Sequence, residues 1–378
     1  MAVKDIGGNI RRFLKLKKFS IANFSKECGI GSATLSNILN GKSSPNSTTL
    51  LKIAQTLGVS FNDLLADSPE LKTLRFRTNK KLSAREIAQR DQIIIGTTQW
   101  LKNYVELENM TGHYNTFLFD NIKTNDPIEA AHKVRELSNL SPDEPIQDIV
   151  SLIEKSGIKV YLHPFNFQKT FGLSINKEDG GPAIVVNTDD SITLERRIFT
   201  IAHELGHLIL HSTSFNGKVE EENNKEETEA DTFASELLVP QQAIEDKLKE
   251  YKGLPWYEAV LQIKKYFLVS YRTILYRLKN IPGGKFYNDD KIFVKFSQIY
   301  NEIYKHNLQN HFEPNPLESD SSPARIEVEE LANLPFTENR YYSLVREAYE
   351  NTKISISRAA ELLNISMLQM RGVISAWL

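Results

Sequence analysis

The chain has 378 residues, 40% of them hydrophobic and 25% charged, a composition suited to several packed domains and not to wholesale disorder. No run nears the roughly 18 apolar residues of a membrane span, and Met1-Ala2-Val3-Lys4-Asp5 does not open a signal peptide, so a cytoplasmic location away from membranes is expected. The single cysteine, Cys28, excludes an internal disulfide and a cysteine-based metal cluster. The net charge of -2 hides an asymmetry, because residues 1–66 carry nine Lys/Arg against three acids. A small basic front on an acidic body points to a polyanionic partner at one end.

Residues 6–66 read as five short helices. Ile10, Phe13 and Leu14 repeat at helical spacing, and Ser20 is placed to cap the helix that follows. Ile21 to Glu27 leads into Gly29-Ile30-Gly31, after which Ser32 to Asn40 forms a third helix, giving helix, glycine-containing turn, helix. In the third helix Leu35, Ile38 and Leu39 face the core, which leaves Ser32, Thr34, Ser36 and Asn37 to reach base edges, with Arg11 and Lys42 as phosphate contacts. This segment, with Thr49 to Ser60, resembles the XRE (phage-repressor-like) helix-turn-helix family, although Ile21 stands where glutamine is usual and Leu39 where glutamate is frequent. The resemblance implies binding to a double-stranded DNA operator, as a dimer if the operator is two-fold symmetric.

Residues 67–125 are polar and helical in tone, with Trp100, Leu101, Tyr104 and Leu107 on one long helix, and read as a connector. Two helices follow, from Pro127 and from Ile149. Three strands come next: Gly157 to Leu162, Phe171 to Ile175, and Ala183 to Asn187 as a hairpin return after Gly180-Gly181-Pro182.

Leu194 to His211 reads as an apolar helix carrying His203-Glu204-Leu205-Gly206-His207. Spacing of i and i+4 sets both imidazoles on one face, one turn apart, as two nitrogens sharing a tetrahedral ion require. Glu204 projects roughly 100° round the helix, beside such an ion, where it can accept a proton from water. A second helix, Glu227 to Leu238, ends near Pro240. It carries Glu227 and Asp231 on a face otherwise made of Ala230, Phe233, Ala234, Leu237 and Leu238. Glu227 is the expected third ligand, with Glu226 as the runner-up, and Asp231 the acceptor for a histidine N–H. Glu220, Glu221, Glu222 and Glu229 read as a solvated acidic stretch. His211, two turns beyond His203, lies roughly 12 Å along the helix, too far to share an ion, and is assigned a structural part.

Arg197 to His207, Glu227 to Pro240 and Val269 to Leu278 together look like the ImmA/IrrE family of metallopeptidases. That likeness implies a zinc-dependent metalloendopeptidase with His203, His207 and Glu227 on the metal and Glu204 as general base. Zn2+ suits this set, and Mn2+ is the alternative ion. It further implies limited proteolysis of a repressor or antitoxin protein, or of the chain itself, in a stress, mobile-element or toxin–antitoxin circuit. The competing reading is a DNA-binding repressor or antitoxin whose protease-like domain is only a sensing platform. Pro314 to Arg325 reads as a loop, and Ile354 to Ser366 has a helix-turn-helix cadence without basic charge, suggesting packing, sensing or dimerisation.

The expected fold class is therefore α+β and mostly helical. Its parts are a five-helix domain at 1–68, a helical linker at 69–125, a zincin-like domain with a small mixed or antiparallel sheet at 126–282, and a C-terminal helical module at 283–378.

Overall fold

A computed structural model of the chain describes residues 6–17, 19–59, 61–65, 71, 73–75, 83–167, 169–215, 224–305, 307–308, 313–314 and 339–377. Glu220, Glu221, Glu222 and most of the expected loop after Pro314 lie outside the described residues. The chain divides into two compact units, residues 1–71 with 82–102 and residues 72–81 with 103–378.

The first unit holds the five expected helices: α1 (Ile6–Leu16), α2 (Ile21–Cys28), α3 (Ser32–Leu39), α4 (Ser47–Leu57) and α5 (Phe61–Leu65). Ser20 caps α2 by accepting from the Asn23 N–H, and Gly29 ends it in the left-handed region at φ 67°, where a side chain would be strained. Ile10, Phe24, Leu35, Ile53 and Leu64 form the fully buried centre. Each large aliphatic side chain so buried contributes roughly 1.5–3 kcal/mol.

In the second unit a four-stranded mixed sheet has the order β1-β3-β4-β2, with β1 (Leu74–Arg75), β2 (Lys159–His163), β3 (Gly172–Ile175) and β4 (Ala183–Asn187). β3 returns as β4 in an antiparallel hairpin, and β2 runs parallel to β4. β1 is the departure from expectation. It falls in the stretch read as helical, and it pairs antiparallel with β3 in the register Leu74 with Ile175 and Arg75 with Ser174. Two residues are too few for a period-two pattern to show in sequence.

The long helix α6 (Ala84–Thr111) carries Trp100, Leu101, Tyr104 and Leu107 buried, as their spacing predicts. Asp126 and Asp148 cap α7 (Pro127–Leu137) and α8 (Ile149–Lys155) through their carboxylates. Across the sheet lie α9 (Leu194–Leu210), begun by a Thr193 cap, and α10 (Asn224–Leu238), with Pro240 two residues past its end. α11 (Gln241–Glu250), α12 (Trp256–Phe267), α13 (Tyr271–Asn280) and α14 (Ile292–Tyr304) extend the same core.

The C-terminal helices α15 (Asn339–Glu350), α16 (Ile356–Leu362) and α17 (Met367–Trp377) are anchored by Arg340. Its guanidinium pairs with buried Glu108 at 2.7 Å and donates to Tyr104 Oη. The Asn339 and Arg340 N–H groups donate to Glu154, a carboxylate that burial pushes up to about 7.

α9 is the central element, buried against α10, α7, α8, β3 and β4. It crosses α10 at Gly206, where an added Cβ would stand 2.9 Å from a Phe233 ring carbon and 3.3 Å from the Ala230 Cα. Glycine is required there because two helices meet backbone to backbone. Gly206→Ala is expected to destabilise the second unit by about 1–3 kcal/mol through overpacking. A lowered denaturant midpoint would report it, and an unchanged midpoint would show that the crossing has slack.

Candidate metal centre

The α9–α10 crossing brings three side chains to one point. His203 and His207 project from the same face of α9, and Glu227 faces them from the first turn of α10. One ligand atom from each lies within 4.8 Å of the others. His203 Nε2 and His207 Nε2 are 2.9 Å apart, and Glu227 approaches them at 3.2 Å through Oε2 and 3.4 Å through Oε1. Atoms bound tetrahedrally to zinc at about 2.0–2.1 Å are separated by roughly 3.3 Å. The pairwise separations are therefore close to an edge of such a tetrahedron, and the donor types suit the ion.

The outer nitrogens of both imidazoles are engaged. Asp231 Oδ1 lies 2.8 Å from His203 Nδ1. Asp231 is half exposed, where the apolar face of its helix suggested burial, and the histidine supplies the donor it needs. His207 Nδ1 meets His211 Nδ1 at 3.0 Å, and His211 Nε2 meets Glu229 Oε2 at 3.0 Å. A carboxylate only accepts, so His211 donates from Nε2 and its Nδ1 accepts the proton on His207 Nδ1. That chain turns the lone pair of His207 Nε2 into the site, the tautomer a metal requires. His211 thus holds His207 in place without itself reaching the centre. Glu229, expected in solvent, closes the chain. Its partner lies past the end of α9, which spacing along α10 does not reveal.

Electrostatics separate the two imidazoles. Burial alone would lower the His203 pKa, but the hydrogen bonds to Asp231 and Glu227 outweigh it and raise the value to about 9. Burial drives His207 down to about 3, so it is neutral. Burial opposes ionisation of Glu227, yet bonds to His203 and His207 hold its carboxyl far below the usual carboxylate range.

Glu204, nearly buried, lies on the sheet side of the histidines and accepts a hydrogen bond from Ser174 Oγ at 2.6 Å. Burial raises its pKa, while His203, Ser174 and Arg75 pull it down. A raised pKa makes its carboxylate a stronger proton acceptor. β3 presses close here, since a Cβ on Gly172 would come within 2.5 Å of Thr200 Cγ2 and 3.3 Å of Glu204 Cγ.

Arg75 was not foreseen. The β1–β3 register puts it opposite Ser174, on the face that meets the helices. Its guanidinium, almost fully buried, bonds Glu226 at 2.6 Å and Glu227 at 3.0 Å. Glu226, the alternative ligand considered from sequence, is thus held by Arg75 and by Ser214 Oγ at 2.8 Å. Arg75, Gly172, His203, Glu204 and Glu227 line one groove.

In the helix-turn-helix unit, Thr34, Asn37 and Lys42 are exposed and Ser36 is half-buried. Ser25 Oγ donates to the Ile30 carbonyl, so Ser32 Oγ, 2.8 Å from it, spends its proton on Ser25 and braces the turn. Arg11 donates from Nε to the Leu39 carbonyl at 3.1 Å and from Nη2 to Asn40 Oδ1, tying α1 to the end of α3.

Removing either outer partner should weaken the site without unfolding it. Asp231→Asn and His211→Phe are each expected to reduce zinc affinity by about 10–100-fold in competition with a chromogenic chelator. Unchanged affinity in both would dismiss the hydrogen-bond chain as a positioning device.

Residues 153–279 match the family model of the IrrE N-terminal-like domain, and residues 10–64 match that of the Helix-turn-helix domain. No curated protein matches the chain. The first span contains His203, Glu204, His207 and Glu227 and the second contains α2 and α3, while Arg75 falls in neither. The chain thus joins an XRE-type helix-turn-helix domain to an ImmA/IrrE-like metallopeptidase domain.

Proposed function

We propose that the chain is a DNA-bound regulator whose central domain is a zinc metalloendopeptidase that cuts a repressor-type protein or the chain itself. The observation that carries the reading is the meeting of His203, His207 and Glu227 within 4.8 Å, with Glu204 beside them. In this reading the three side chains hold the ion, which would polarise the scissile carbonyl and acidify water. Glu204 takes a proton from the attacking water and returns it to the departing amine. Ser174 orients Glu204 by donating to Oε2, and Asp231 and His211 fix the imidazoles. Arg75 aims Glu227 and pairs with Glu226. Thr170, Phe171 and Gly172, at the start of β3, line the groove, and an extended polypeptide is proposed to lie along them.

Protein purified without chelator is expected to carry about one zinc per chain by elemental analysis, and His203→Ala to carry none. Glu204→Gln should keep the ion and lose cleavage. A wild-type protein that takes up no metal when zinc is supplied would end the peptidase reading and leave a DNA-binding regulator.

For the first domain, Thr34 and Asn37 are proposed to read bases and Lys42 to contact phosphate. Sites selected from a random duplex pool should change in sequence with Thr34→Ala or Asn37→Ala. Lys42→Ala should weaken every duplex alike and flatten the salt dependence by about one phosphate contact. Identical selected sequences in both reading-helix variants would move recognition elsewhere.

A further inference from the structure

Toward its N-terminus, α9 opens into a second cavity of about 490 Å³. This cavity shares Phe171, Arg196, Phe199 and Asp231 with the groove that holds His203 and Glu204, so the two adjoin. Arg196 precedes His203 by seven residues. Two helical turns put both on one side of α9, roughly 10 Å apart along its axis. A ligand in the cavity is therefore within two or three residues of an extended peptide's bond at the metal group.

The lining combines aromatic surface with two cations. Phe171, Phe199, Tyr271 and Phe293 supply the walls. The Arg196 guanidinium lies 4.0 Å over the Phe171 ring, and Arg272, at the start of α13, donates from Nε to Tyr271 Oη at 3.3 Å. Both arginines are exposed to the cavity, and neither has a carboxylate at ion-pair distance among the described residues. The acids of the same wall are spent elsewhere. Glu195 and Glu313 share Lys264 at 2.7 and 3.4 Å, and Asp231 holds His203. Burial lowers the Arg196 pKa, Asp231 opposes that, and the charge of Arg272 adds to it, as expected of two cations in one cavity. A fork of guanidinium donors set on aromatic faces matches a carboxylate on an apolar stem.

We propose that this cavity is a specificity subsite for a carboxylate-bearing residue of the polypeptide substrate, located within three residues of the bond cut and clamped by Arg196 and Arg272. The proposal rests on the peptidase reading above and deepens it. The carboxylate can come from an Asp or Glu side chain or from the substrate's C-terminus; both offer the same two oxygens.

The test uses the zinc-loaded full chain and mixture-based fluorogenic peptides with Glu, Gln or Leu fixed at each position within three residues of the scissile bond, each made with an amidated and a free C-terminus. At one position, Glu peptides should exceed their Gln counterparts about tenfold in kcat/KM, the size of preference expected when a charged fork pairs with a carboxylate and not with a neutral amide. Arg196→Gln and Arg272→Gln should each bring that ratio toward one, and Arg196→Lys should restore part of it. A gain confined to free C-termini and lost in the same variants would assign the clamp to the terminal carboxylate. Absence of any acidic preference, or its survival in both variants, overturns the proposal. If no peptide is cleaved, the Glu204→Gln protein is titrated with fluorescein-labelled Glu and Gln peptides. Arg196-dependent preference for the Glu peptide would then keep the subsite and discard the peptidase reading, and equal binding would discard the subsite.

Discussion

The packing of α9 on α10 at Gly206 is the contact on which the rest of the second unit depends. Two imidazoles one helical turn apart are a common accident of helical spacing. They become a ligand set only when a carboxylate is delivered from another element at hydrogen-bond distance. Close approach of the backbones at Gly206 lets Glu227 reach both nitrogens, while Ala230, Phe233 and Ala234 fill the seam with buried apolar surface. The hydrophobic contact does the work of positioning, and the polar groups ride on it. Their ionisation states follow from that position, since burial alone disfavours every charge in the cluster.

Around this contact the polar groups form a closed ledger of donors and acceptors. Each imidazole has one nitrogen turned to the centre and one satisfied behind it, His203 by Asp231 and His207 by the His211–Glu229 chain. Glu204 has its own donor in Ser174. A buried polar cluster in which every member is paired costs little and holds a single geometry, whereas one left half satisfied would be both unstable and mobile. The same logic applies to the pair of arginines in the neighbouring cavity, which are the cations of this face left without anionic partners among the described residues.

Much of this was legible in the chain itself, and the reasons are specific. His203, Glu204 and His207 sit in a long periodic helix, so their relative placement follows from the helical repeat alone. Glu227 and Asp231 were visible because carboxylates interrupt an apolar face. The helix-turn-helix could be read from Ser20, Gly29 and the buried trio Leu35, Ile38 and Leu39, each bearing on local geometry. What escaped was set by contacts between distant segments. Arg75 reaches Glu227 across 152 positions of sequence from a strand two residues long. Glu229 was placed in solvent because its partner, His211, lies past the end of α9, remote in sequence from α10. Ser32 and Arg11 have the residue types of DNA contacts, yet their side chains brace the domain internally.

Arg75 has one more consequence. It belongs to the stretch between the two matched domains, and it is held both by the ladder to Ser174 and by Glu227. The edge strand and the Glu227 carboxylate are therefore joined by an ion pair whose guanidinium is buried. Whatever draws β1 off β3 takes the guanidinium with it and leaves Glu227 with less to aim it. Thermodynamic reciprocity then runs the other way, so that an ion which fixes Glu227 also tightens the strand. An ion bound at the crossing would in this way be felt at the edge of the sheet.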